Sequence, residues 1–508
     1  MTSFNTDDIV AVIGAGAMGA GIAQVAAQAG HPVLLFDAME GAAEKGRSGI
    51  IAQLKRLVEK GRMTAETARE IESRLQAVPS LQALAPARLV IEAIVEKLDI
   101  KKKVFGDLEG IVAEDAILAT NTSSLSVTAI GQGLAHPDRL AGLHFFNPAP
   151  LMALVEVVSG LATGPAIVDQ LVDLAHAWGK KAVRCRSTPG FIVNRVARPF
   201  YAEGLRLLEE GAADAATIDA LLREAGGFRM GPFELMDLIG HDVNFAVTRS
   251  VFDAYFGDPR FRPSLTQQEL VAAGWLGRKS GRGFYDYAAG AERPAPASLG
   301  AGKPLDTIVI EGDLGPAESI VALLTEKGVK VDRFPGEGLV RLDGATLALT
   351  DGRTATARVA QGGAREMILF DLALDYKPGA RVAMTKADQA SVESFANAAS
   401  LFDGIGMTVS PVDDVPGLVV MRTVAMLANE AADACLQGVA SAEDIDRAMM
   451  AGVNYPRGPL DWADAIGPAR VLDVLANLQD AYGDDRYRPS QLLARRVAAH
   501  STFHDPGK

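Results

Sequence analysis

Residues 10–37 read VAVIGAGAMGAGIAQVAAQAGHPVLLFD, and this stretch decides the fold. Val10–Ile13 is a short, wholly apolar run of the kind that forms a strand buried on both faces. It runs into Gly14, Gly16 and Gly19, and a small-residue helix continues from Ile22 to Ala29. Gly30-His31-Pro32 makes a turn, Val33–Phe36 is a second strand, and Asp37 ends it. Strand, three spaced glycines, helix, second strand and terminal acid together form a dinucleotide fingerprint. Gly14 permits the tight turn, Gly16 lets a pyrophosphate reach the backbone, and Gly19 lets helix and strand pack closely. The helix start offers free N–H groups to the phosphates. A carboxylate at Asp37 suits two ribose hydroxyls and repels a 2′-phosphate, which favours NAD over NADP.

The 508 residues carry a formal charge of −13, which speaks against non-specific nucleic-acid binding. No apolar run reaches membrane-spanning length, and the start MTSFNTDD lacks a basic-then-apolar leader. The two cysteines, Cys185 and Cys435, make neither a disulfide framework nor a metal cluster, so a reducing cytoplasm is expected.

Outward from the fingerprint, a helical span covers roughly 41–75. Strands follow at 89–91, 116–120, 140–145 and 154–158, a Rossmann-type, doubly wound α/β pattern. Helices replace it from about Pro189, and the alanine- and proline-rich residues 288–304 read as a linker that buries little. Strands and helices alternate again to about 411, with hairpins expected at Asp343-Gly344 and Asp351-Gly352. This segment resembles a reduced α/β layer without the three-glycine turn, so no second dinucleotide is expected there.

The last hundred residues repeat the first helical segment. Pro189-Gly190-Phe191-Ile192-Val193-Asn194-Arg195 aligns with Pro416-Gly417-Leu418-Val419-Val420-Met421-Arg422, an offset of 416 − 189 = 227. Three further blocks repeat at or near that spacing, so an all-α domain is duplicated. The expected domains are 1–187, 188–287, the linker 288–304, 305–411 and 412–508. The second helical copy is expected to pack on the first within one chain. Turn residues such as Pro189 and Gly190 persist in both copies, whereas Asn194 becomes Met421, which marks Asn194 as a candidate for chemistry.

Ligands of an open parallel sheet sit beyond the carboxyl ends of its strands. Three loops there gather polar residues: Glu92–Glu96, followed by Lys97 and Lys101; Asn121-Thr122-Ser123-Ser124; and His144 to Pro148. His144 suits general-base work near pH 7. Glu156, inside the apolar run 154–158, needs a partner, and either an imidazolium at 144 or an arginine elsewhere would serve. Ser123 is read as a substrate hydrogen-bonder or a helix N-cap. Lys101–Lys103 read as a solvated face, with a phosphate contact from one of them as the alternative.

These residues, with Met230-Gly231-Pro232-Phe233-Glu234-Leu235 and Lys279-Ser280-Gly281-Arg282-Gly283-Phe284-Tyr285, resemble the NAD-dependent L-3-hydroxyacyl-CoA dehydrogenases over residues 8–287. The resemblance implies His144 as base, Glu156 as its electrostatic partner, and Ser123 and Asn194 as holders of the substrate oxygen. It implies NAD contacts at Gly14, Gly16, Met18, Gly19, Asp37, Glu96, Lys101, Ser123, Asn147 and Lys279, and a CoA contact at Lys60. The two-copy layout is similar to the bacterial enzymes of phenylacetate degradation, which implies 3-hydroxyadipyl-CoA as substrate. 3-Hydroxybutyryl-CoA and general fatty-acid β-oxidation are the alternatives within the class, and a non-catalytic scaffold binding acyl-CoA and NAD is the alternative outside it. Arg195, Arg198 and Arg229 are candidates for an adipyl carboxylate. Partners are expected to be an acyl-CoA and possible copies of the chain in a homo-oligomer, with neither membrane nor nucleic acid.

Overall fold

A computed structural model of the chain describes residues 4–300 and 302–505. The chain divides into two compact units, one running to Arg195 and including Gln437–Val453, the other Val196–Leu436 with the residues from Asn454 on. Residues 437–453 belong by sequence to the second helical copy, yet their helix Ala442–Val453 packs in the first unit.

The first unit is built on eight strands: β1 (Val10–Ile13), β2 (Val33–Phe36), β3 (Leu75–Ala77), β4 (Leu89–Glu92), β5 (Ile117–Thr120), β6 (Leu140–Phe145), β7 (Leu154–Ser159) and β8 (Lys181–Arg186). Their order in the sheet is β3-β2-β1-β4-β5-β6-β7-β8. All pairs are parallel except β6–β7. The strand order reverses between β1 and β4, and the crevice at such a reversal is where this architecture binds ligands. β1, β4 and β5 are buried at every residue, as parallel strands covered on both faces must be. The expected helical span 41–75 is two helices, Ala42–Glu59 and Ala65–Arg74, followed by β3. β3 is too short to show its own periodicity, and β8 runs exposed, buried, buried, exposed, buried, exposed, which is not a strict alternation.

The second unit carries β9 (Thr307–Glu311), β10 (Lys330–Phe334), β11 (Leu339–Leu342), β12 (Ala345–Leu349), β13 (Met367–Phe370), β14 (Arg381–Lys386) and β15 (Thr408–Pro411). They form one sheet in the order β10-β9-β11-β12-β13-β14-β15. Asp343-Gly344 closes the β11–β12 hairpin as expected, but Asp351-Gly352 does not make one. There the chain enters the helix Ala355–Ala360, whose first amides go to the Asp414 carboxylate and whose N-cap is Thr354, and it returns as the parallel strand β13. The described residues of the 288–304 stretch lack helix and strand but are tethered. Ala297 N–H donates to Thr217 Oγ1, Leu299 N–H to the Val409 carbonyl, and Arg381 and Ser410 donate to the Ala297 carbonyl.

The two helical copies meet inside this unit. The helix Val420–Leu436 packs along Arg198–Glu209, and the fully buried Arg422 reaches Glu203 at 2.7 Å and Glu210 at 2.8 Å. Burial opposes ionisation of Glu203, but Arg422, Arg486 and Arg206 outweigh it and hold its pKa low.

Candidate active site

β6 and β7 are antiparallel neighbours whose register sets His144 directly opposite Glu156. Residues so opposed share one face of the sheet, so the two side chains meet. His144 Nδ1 lies 2.6 Å from Glu156 Oε2, and both side chains are buried. A carboxylate only accepts, so Nδ1 carries the hydrogen, and in the neutral ring Nε2 then holds the lone pair. Nε2 has no hydrogen-bond partner among the described residues. The other carboxylate oxygen of Glu156 accepts the N–H groups of Ile192 and Val193, each at 3.0 Å. Three donors thus offset the cost of burying this acid. Phe146 and Phe191 flank the imidazole, with ring centroids 4.5 and 5.8 Å away. The sequence left the partner of Glu156 open between an imidazole and an arginine; the hairpin register decides it.

The same contacts carry the neighbouring residues to this place. Asn194 follows the two amides held by Glu156 and begins, with Val193, the short helix Val193–Val196. Ser123 follows β5, which lies beside β6, and Asn121 Oδ1 accepts the Phe145 amide at 2.8 Å, tying the two strand ends together. The side chains of Ser123 and Asn194 make no hydrogen bond among the described residues. Ser123 is not an N-cap; Ser126 caps the next helix.

Glu96 organises the Ser123 loop. Its Oε1 accepts from the amides of Ser123 (3.0 Å) and Ser124 (3.2 Å) and from the Thr122 hydroxyl. Burial works against its charge, yet the Thr122 hydrogen bond and the Lys101 ammonium prevail and lower its pKa. Lys101 is not part of a solvated face. It is 1% exposed and lies 2.6 Å from Glu92 and 3.2 Å from Glu96, while Thr120 Oγ1 donates to the other Glu92 oxygen. The sequence reading put Glu92 at the start of a polar loop; it is instead the last residue of β4 and fully buried.

Beyond the ends of β1 and β2 lies a cleft of about 620 Å³, lined among others by Gly16, Ala17, Asp37, Lys45 and Asn147. A Cβ on Gly14 would stand 2.5 Å from the Ala93 carbonyl oxygen, and one on Gly19 would stand 1.7 Å from that of Gly14. A Cβ on Gly16 would meet nothing within 4 Å and would instead fill the cleft. Two glycines therefore serve packing, and the third leaves room for a ligand at the start of the helix Ala17–Gln28. Asp37 accepts the Ala15 amide on one oxygen and the Met39 amide on the other, which leaves lone pairs on both. These features fit a dinucleotide. Met18 is half-buried on the first turn of that helix.

Lys60 is exposed at the C-cap of Ala42–Glu59. Lys279 belongs to the second unit, where it pairs with Asp242. Of the three arginines, Arg195 is buried and bonds Gln437, Arg229 is exposed, and Arg198 lines a cavity of the second unit.

Residues 9–188 match the 3-hydroxyacyl-CoA dehydrogenase NAD binding domain, and residues 190–287 and 417–505 match the C-terminal domain of that family. Residues 347–416 match the 3-hydroxybutyryl-CoA dehydrogenase reduced Rossmann-fold domain. The chain is 48% identical over 495 residues to 3-hydroxyadipyl-CoA dehydrogenase of Escherichia coli strain K12, covering 97% of this chain and 98% of that one. It is 42% identical over 284 residues to the mitochondrial hydroxyacyl-coenzyme A dehydrogenase of Sus scrofa, covering 55% of this chain and 90% of that one. A crystal structure described as 3-hydroxybutyryl-CoA dehydrogenase from Escherichia coli K12 matches with a TM-score of 0.89 at 46% identity, covering 97% and 99% of the two chains.

Proposed function

The chain belongs to the 3-hydroxyacyl-CoA dehydrogenase family, and from that premise we propose 3-hydroxyadipyl-CoA as its substrate and His144 as its catalytic base. It is an NAD-dependent dehydrogenase of 3-hydroxyacyl-CoA thioesters. The observation that carries the assignment of the base is the buried His144–Glu156 pair, with Nε2 left free at the carboxyl end of the sheet.

His144 Nε2 takes the proton of the C3 hydroxyl. A bound NAD would supply the acceptor for the hydride that leaves C3. Positive charge develops on the imidazole, and Glu156, already in place, stabilises it more in the transition state than in the ground state. Ser123 and Asn194 hydrogen-bond the C3 oxygen and hold it in line with Nε2. Gly14, Gly16, Met18, Gly19, Asp37 and Asn147 hold the dinucleotide, with Glu96, Lys101 and Lys279 in support, and Lys60 meets the CoA.

The adipyl chain is preferred because the relative of that name matches along nearly the whole length, including the α/β segment and both helical copies. Phenylacetate breakdown in the cytoplasm is the corresponding role. No described helix is long and apolar enough to cross a membrane. The other chain length, 3-hydroxybutyryl, is the name attached to the matching crystal structure. Turnover of 3-hydroxyadipyl-CoA and 3-hydroxybutyryl-CoA, followed by NADH absorbance, decides between them. A higher kcat/KM for the butyryl thioester overturns the adipyl reading, and no NADH consumption with acetoacetyl-CoA, despite tight binding, returns the chain to the scaffold class.

A further inference from the structure

The second unit contains a cavity of about 450 Å³ along the helix Arg198–Glu209, closed by Thr248 and by the segment from Arg260 to Gln267. Arginines dominate its wall, and all but one have acidic partners. Arg206 lies 3.6 Å from Asp484, Arg262 3.9 Å from the same residue, and Arg486 4.0 Å from Glu203. Arg260 is paired with Glu430 and Asp433. Among the described residues Arg198 has no carboxylate partner. Its Nη1 donates to Thr248 Oγ1 at 3.1 Å, its guanidinium carbon sits 4.8 Å over the Tyr201 ring, and its Nε has no partner. The residue is only 5% exposed. Burial pulls its pKa down, yet an arginine stays charged. A buried, unpaired cation is costly, and such groups are normally paired.

The duplication supplies an internal control. At the 227-residue offset, Arg198, Tyr201 and Thr248 correspond to Ala425, Ala428 and Leu475. Those three are 0%, 2% and 0% exposed, packed in the core. Arg206 corresponds to Asp433, which neutralises Arg260. The second copy thus closes this place with methyl groups and a matched charge, and the first opens it and lines it with one uncompensated guanidinium.

We propose that this cavity binds the terminal carboxylate of an aliphatic chain, with Arg198 as its cation and Thr248 as a second donor. The guanidinium fork matches a carboxylate in two parallel hydrogen bonds. One free positive charge, with Glu209 also on the wall, suits a monoanion and disfavours a phosphate dianion. Leu205, Phe261 and Pro263 give the chain an apolar wall. A volume of this size falls in the range of small-ligand pockets. The carboxylate is that of a free aliphatic acid.

The test uses the full chain and its Arg198→Met variant. Hexanoate binding is measured by calorimetry, with hexanol as the neutral control. Wild type is expected to bind hexanoate and not hexanol, and Arg198→Met to lose tenfold or more of the hexanoate affinity. No hexanoate binding to wild type, Arg198→Met binding hexanoate unchanged, or hexanol binding as well as hexanoate overturns the proposal. If Arg198→Met does not fold, Thr248→Val is read instead, with a severalfold loss expected and no change counting against the site.

Discussion

Asp371 stands in the second sheet where His144 stands in the first, 371 − 144 = 227 positions later. The strand pairing repeats at the same offset: Leu143↔Val157 in β6–β7 becomes Phe370↔Met384 in β13–β14. The Asp371 amide donates to Ala383, the counterpart of Glu156, at 3.0 Å. Each helical copy begins with amides that need an acceptor. In the first copy Glu156 supplies it from β7, and β6 is left free for an imidazole. In the second, Asp371 itself accepts from Val419, Val420 and Met421. The second copy therefore has neither base nor acid partner, and the loss of Asn194 to Met421 belongs to the same change.

His144→Gln is expected to lower kcat by about two to four orders of magnitude, the usual effect of removing a general base. NAD affinity, measured by fluorescence titration, should stay near wild type. Near-native turnover would remove His144 from the chemistry.

Asp37→Ala should raise KM for NAD by roughly ten- to a hundredfold, the worth of hydrogen bonds to a charged group. The preference over NADP should narrow at the same time, because the charge that repels a 2′-phosphate is gone. Steady-state kinetics with both cofactors checks this; equal constants for mutant and wild type would refute the ribose role.

Glu96→Gln should lower kcat/KM, since the amides of Ser123 and Ser124 and the Lys101 ammonium lose their shared carboxylate. The Glu96 pKa is lowered, so its stabilising contribution is present above the ordinary carboxylate range and disappears only as pH falls through the lowered value. A pH–rate profile should accordingly show no limb from Glu96 between pH 5 and 8 (about the range where carboxylates are ionised). Titration of wild-type activity in that window that vanishes in Glu96→Gln would contradict this.

Asp371→Asn should leave turnover intact and change the pH dependence of stability. Burial raises the Asp371 carboxyl to about 6, against the pull of four backbone amides. The folded chain thus favours the protonated acid. Its contribution is complete below the unfolded pKa near 4 and is lost as pH rises through about 6. Relative to Asp371→Asn, wild type should lose about 3 kcal/mol over that interval, at about 1.4 kcal/mol per pH unit. Urea midpoints at several pH values measure the difference, and a constant gap between the two proteins would exclude it.

Residues 10–37 determined the nucleotide fold because turn glycines, helix start and terminal acid act locally, and local geometry is written in consecutive residues. The duplication was legible for a similar reason: a fixed offset needs no coordinates. His144 and Glu156 were each recognisable as chemical types, but their meeting was not. It depends on an antiparallel register between β6 and β7, and a shift of one residue would turn Glu156 to the opposite face. The solvated-face reading of Lys101 fails because a run of three lysines looks solvated, whereas the helix Leu98–Glu109 turns this one inward to Glu92 and Glu96. The acidic partners of Arg206 and Arg260, and the lack of one at Arg198, likewise exist only after distant helices pack, because charge compensation is a property of neighbours in space and not in sequence.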